Sequence, residues 1–78
     1  MFRIDLASFD SYTIEGRTII GVTGRRTSRY ILPTGARISV TLNNTTNRGV
    51  LEIGGYKTLT CTVSGPADDI NRIWEFIL

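Results

Sequence analysis

Two clusters in this chain carry the side chains with most chemical reach. The first is Thr23-Gly24-Arg25-Arg26-Thr27-Ser28-Arg29; the second is Thr41 followed by Asn43-Asn44-Thr45-Thr46-Asn47. Arginine presents a fixed fork of donors that suits phosphate and carboxylate. Arg25, Arg26 and Arg29 are therefore the candidates for gripping a nucleic acid. Thr23, Ser28, Thr41, Asn43, Thr45 and Asn47 supply hydroxyls and amides that can hydrogen-bond a small polar ligand. A plainer reading stands beside each: solvated charges on a loop, and the residues that turns are made of.

Catalytic groups are sparse. The sequence contains no histidine, so the commonest general base is missing. Cys61 is the only cysteine, which rules out an intrachain disulfide, a zinc site and an imidazole-activated thiolate. Asp68 and Asp69 are adjacent on an expected helix, about 100° apart, where they complement its positive end. Glu15 and Glu52 have no identifiable partner. Neither a phosphate loop nor a dinucleotide fingerprint is present. The expectation is a protein that is not an enzyme and uses no metal or cofactor.

With 78 residues the chain makes one domain, and 41% hydrophobic residues argue against disorder. A core this small often needs a staple, and with disulfide and metal excluded the remaining source of buried area is oligomerisation. The net charge of +2 is a mild bias. No window approaches the ~20 apolar residues of a membrane helix. The opening Met1-Phe2-Arg3-Ile4-Asp5-Leu6 alternates and does not read as a signal peptide. The cytoplasm is the expected compartment, and the Asn-x-Thr triplets at Asn43 and Asn44 then mean turn chemistry.

The elements that must position these clusters read mostly as strands. Phe2, Ile4 and Leu6 alternate with charges, the period of a half-buried strand. Tyr12–Glu15 and Thr18–Thr23 flank a tight turn at Gly16. Ile20 and Val22 lie on one face of the second strand and Ile19 on the other, so both faces are expected to be covered. Gly24–Thr27 reads as a loop, Ser28–Leu32 as extended, and Pro33-Thr34-Gly35 as a turn. Arg37–Leu42 is the cleanest strand, with Ile38, Val40 and Leu42 inward. Asn43–Asn47 is a turn, Val50–Ile53 a strand, Gly54-Gly55 a hairpin turn and Tyr56–Val63 the last strand. The period then changes. Ile70, Ile73, Trp74 and Ile77 make one apolar stripe of a helix over 66–78, started by Pro66. Trp74 reads as its core anchor.

From Gly16 to Val63 the spacing resembles the tryptophan-responsive RNA-binding attenuation proteins of bacilli. The resemblance lies in Ile20-Gly21-Val22-Thr23, Ser28-Arg29-Tyr30, Gly35, the strand into the Asn/Thr turn, and Leu51-Glu52-Ile53 before a glycine hairpin. It implies a compact antiparallel β-sandwich over 1–64 whose sheets extend between subunits into a homo-oligomeric ring. Free tryptophan would sit between neighbours, at the loops that Thr23–Ser28 and Asn43–Asn47 resemble. Thr41, Asn43 and Asn47 differ in type from the family's ligand contacts. The basic pair with which that family grips RNA falls here on Glu52 and Gly54, and the C-terminal helix is an addition.

The combined expectation is a mostly β, non-catalytic regulatory protein with a C-terminal helix. It forms a ring, binds a small effector between subunits, and has RNA as a further partner. The alternative is a small phage-type or mobile-element interaction module that binds a host protein and uses its sheet as scaffold.

Overall fold

Alternation of apolar and polar residues builds two sheets, and the change of period builds one helix. The computed structural model describes residues 2–33, 37–54 and 59–78, with the backbone alone for Phe2, Leu59 and Thr60. The strands are β1 (Phe2–Asp5), β2 (Ser11–Glu15), β3 (Thr18–Thr23), β4 (Arg26–Ile31), β5 (Arg37–Asn43), β6 (Arg48–Gly54) and β7 (Leu59–Pro66). A short 3-10 turn, Leu6–Ser8, follows β1, and the helix α1 spans Ala67–Ile77. Thr34 and Gly35 of the expected turn, Gly55 of the expected hairpin, and Tyr56–Thr58 of the last strand lie outside the described residues.

One sheet has four strands in the order β1-β7-β6-β5; the other has three, β2-β3-β4. Register sorts the four-stranded sheet into two faces. Ile4 lies beside Val63, which faces Leu51, which faces Val40, and this row points inward. Arg3, Thr62, Glu52 and Ser39 form the next row and point out, as a period of two requires. On the three-stranded sheet Tyr12, Ile14, Ile19 and Tyr30 pack inward, and Ile20, Val22 and Ile31 lie on the opposite face.

Ile70 and Ile73 of α1 are fully buried, and Trp74 and Ile77 pack partly buried against the same cluster, which makes Trp74 a helix anchor. That cluster joins Ile4, Leu51, Cys61 and Val63 of one sheet with Ile19 of the other and with Leu6 and Leu32. Both sheets and the helix therefore share one core, the architecture expected of a mostly β chain with a C-terminal helix. Among the described residues neither sheet closes on itself.

Close packing at the helix relies on a glycine pair. Gly49 and Gly65 face each other across β6 and β7. A Cβ on Gly49 would stand 2.9 Å from the Ile70 and Leu42 side chains, and one on Gly65 would stand 2.8 Å from Leu6. Bare backbone is what lets Leu6 and Ile70 seat on the sheet.

The sheet differs from an all-antiparallel sandwich in one pairing, since β1 runs parallel to β7. The crossover that a parallel pair needs is supplied by everything between them. The expected loop at Gly24–Thr27 is shorter: Arg26 and Thr27 already pair with Thr23 and Val22. β6 begins at Arg48, and β7 runs on through Ser64, Gly65 and Pro66 before α1 starts.

Candidate functional site: two hairpin ends and a sheet edge

The β3–β4 connection is a two-residue turn, Gly24-Arg25, between the paired Thr23 and Arg26. Gly24 has φ +59°, the left-handed value that a type II′ turn places at its first central residue. The Gly24 N–H donates to Asp10 Oδ2 at 2.7 Å, so a carboxylate is bound into the turn beside the arginines. Thr23, Arg25, Arg26, Thr27 and Arg29 are exposed, and Ser28 is half-buried opposite Gly21.

The three arginines do not share a face. Arg25 is at the tip. Arg26 lies on the side of β4 that carries Ser28 and Tyr30, and Arg29 on the opposite side, facing Ile20 across the ladder.

The second cluster is held by its own hydrogen bonds. Asn43 Oδ1 accepts from the backbone N–H of Thr45 at 3.0 Å and of Thr46 at 3.3 Å, an Asx turn. Asn47 takes φ +55°, which asparagine tolerates better than most residues. Its carbonyl accepts the Ala67 N–H at 3.0 Å. That bond satisfies one of the open donors of α1, whose N-cap Pro66 offers no side-chain cap. Asn43 and Asn47 thus have structural work in the turn. Thr41 is exposed on the outer face of β5, opposite Val50, and Thr45 is exposed in the turn itself.

Thr23 and Ser28 belong to the three-stranded sheet; Thr41 and Asn43 belong to the four-stranded one, with Thr45 and Asn47 in its β5–β6 turn. Among the described residues no hydrogen bond joins the two sets. Glu52 is half-buried on the outer face between Thr62 and Ser39, and Gly54 is buried opposite Arg37.

One polar cluster has no counterpart in the sequence reading. The Tyr12 hydroxyl donates to Asp69 Oδ2, tying β2 to α1, and Arg72 stands 3.9 Å from the same carboxylate. Burial, with the Asp69 carboxylate adding to it, pushes the Tyr12 phenol up to about 12, against a smaller opposing effect of Arg72. Burial also raises the Cys61 thiol, which is fully enclosed between strands. Arg17 donates to the Pro33 carbonyl at 2.8 Å.

Among the described residues no three His, Cys, Asp or Glu side chains gather in a metal-ligand group. No described helix is long and apolar enough to cross a membrane. The chain matches no family model, no curated protein and no solved structure.

Proposed function

We propose that this protein is a non-catalytic binding module that self-associates into a ring through the edges of its four-stranded sheet and holds a small polar ligand where copies meet. The observation that carries the reading is the open β5 edge. β5 is seven residues long, pairs among the described residues with β6 alone, and exposes Arg37, Ser39, Thr41 and Asn43. The other edge of the same sheet is β1, with Arg3 and Asp5 exposed. Joining β5 of one copy to β1 of the next is a heterologous contact, and such contacts generate rings when the rotation closes.

Two further facts support it. The candidate ligand residues are divided between two sheets, and among the described residues no hydrogen bond joins the two sets, in keeping with a site completed by a neighbour. The outer face of the three-stranded sheet also leaves Ile31 69% exposed, in keeping with a chain whose surface has partners.

A thermal-shift screen with free amino acids and nucleotides tests the ligand. A compound at 100 times its dissociation constant adds about 2.7 kcal/mol to stability. Thr41→Ala or Thr45→Ala, both exposed, should reduce the shift while leaving the unliganded melting temperature near its starting value. An assembled protein that no compound stabilises favours the second reading, a scaffold that binds another protein.

A further inference from the structure

β4 has a free side, and its register can be read from one bond. The Leu32 N–H donates to the Arg17 carbonyl at 2.8 Å. In an antiparallel ladder, facing residues alternate between bonded and non-bonded pairs. Stepping back by two from that pair, Tyr30, Ser28 and Arg26 bond inward to Ile19, Gly21 and Thr23. Thr27, Arg29 and Ile31 therefore turn their N–H and C=O groups away from β3. β4 is the edge of its sheet, and among the described residues no hydrogen bond takes up those groups. All three residues are exposed.

The chemistry of this edge restricts what fits it. Alternating donors and acceptors along a strand are matched by another extended polypeptide, which adds as a further strand. A nucleic-acid backbone offers phosphate acceptors and would leave the carbonyls of Thr27, Arg29 and Ile31 unmatched. The charge is one-sided: Arg26 and Arg29 lie on β4 and Arg25 beside it, β4 has no acidic residue, and the nearby Asp10 is engaged by Gly24.

A second β4 is a poor occupant. Two-fold pairing centred on Arg29 would set the two copies of that residue opposite each other, and like charges directly across a ladder destabilise it. The arginines that guard the edge against self-pairing are the ones a carboxylate would meet.

We infer that the β4 edge is a docking site for an extended acidic segment of another protein. That segment adds as the fourth strand of the β2-β3-β4 sheet. Residues two apart on a strand share a face, so it carries a carboxylate opposite Arg29 and, two positions along, an apolar side chain against Ile31. The site is separate from the β1 and β5 edges assigned to self-association.

The test uses an end-blocked peptide of about eight residues, a strand's length, with glutamate and valine alternating along one face, two positions apart, and threonine along the other. Its controls carry lysine for glutamate, or N-methyl groups on alternate amides. A single-stranded oligonucleotide is the competing probe. The protein variants are Arg29→Glu and Thr27→Pro; the Thr27 N–H points outward, so proline there removes no ladder bond.

The acidic peptide should bind, and each variant should weaken it about tenfold, as expected when a cross-strand charge pair or an edge donor is lost. Both control peptides should fail to bind. If Thr27→Pro does not fold, the N-methylated peptide tests the same hydrogen bonds from the other side. Equal binding by both variants, or binding of the oligonucleotide alone, overturns the assignment. So does a fall in assembly mass with Thr27→Pro, which would make β4 the joint between copies.

Discussion

Tyr12 is the residue on which the seam between sheet and helix turns. Its hydroxyl donates to Asp69, 57 positions away in the chain, across partly buried ground. Tyr12→Phe removes the donor and leaves a carboxylate half-buried without it, at an expected loss of about 1–2 kcal/mol in denaturant unfolding. The phenol also gives stability a dependence on pH. Its folded value is raised from 10.0 to about 12, so the folded state holds the proton more tightly than the unfolded chain. That contribution is complete below pH 10 and is lost as pH rises through about 12. Unfolding curves collected across that window should show a decline that Tyr12→Phe makes smaller. Cys61 behaves in the opposite sense to a reactive thiol. Fully buried and with its pKa raised, it should resist a thiol-specific reagent in the native protein and react on unfolding; rapid native labelling would contradict its placement.

At this scale the sequence showed part of the picture. Asn43 and Asn47 were legible as turn formers because the Asx bond and the left-handed backbone depend on neighbouring residues alone. The Tyr12–Asp69 pair was not, because its members meet only when β2 is laid beside α1. Asp69 could be read as complementing the helix end, but its second role requires the tertiary structure.

At the scale of elements, two glycines separate packing from backbone geometry. A Cβ on Gly21 would stand 2.5 Å from the ring of Phe9, which itself packs 6.0 Å from Tyr30 between ring centres. Gly21→Ala is an overpacking change, expected to cost about 1–3 kcal/mol. Most of that cost should vanish in a Phe9→Ala background, a coupling that a double-mutant cycle measures. Gly24 has nothing within 4 Å of such a Cβ, yet its φ is +59°. Gly24→Ala should therefore lose about 1–2 kcal/mol through strain alone, and Gly24→Asn should lose less. A Gly24→Ala variant of unchanged stability would show that the turn is not the one described.

Strand existence was legible wherever alternation was clean, as in Arg37–Leu42, and so was the helix, from Ile70, Ile73, Trp74 and Ile77. The start of β4 was not. Arg26 and Thr27 are both polar and both exposed, so no alternation marks them. The parallel pairing of β1 with β7 was also hidden, since the partners are the first strand and the last. Which residues of β4 face outward followed only from the 17/32 hydrogen bond.

At the scale of the whole molecule, the governing fact is a small core beneath two open sheets. The fully buried large side chains number nine among the described residues, from Leu6 to Ile73. A core of this size leaves a single copy marginal. Joining copies along β1 and β5 would bury further surface and occupy the two edges. Stability should then rise with protein concentration, as it does whenever partners bind the folded state alone. Dilution should lower the melting temperature until single copies dominate. The sequence raised self-association only as a need, from small size with neither disulfide nor metal; which strands lie at the sheet edges was hidden, since that depends on strand order.

Native mass spectrometry tests self-association most directly. One closed species is expected at micromolar concentration, with a mass that is a whole multiple of the 8.7 kDa chain, shared by the wild type and Thr27→Pro. A spectrum containing only the 8.7 kDa monomer at that concentration would contradict it.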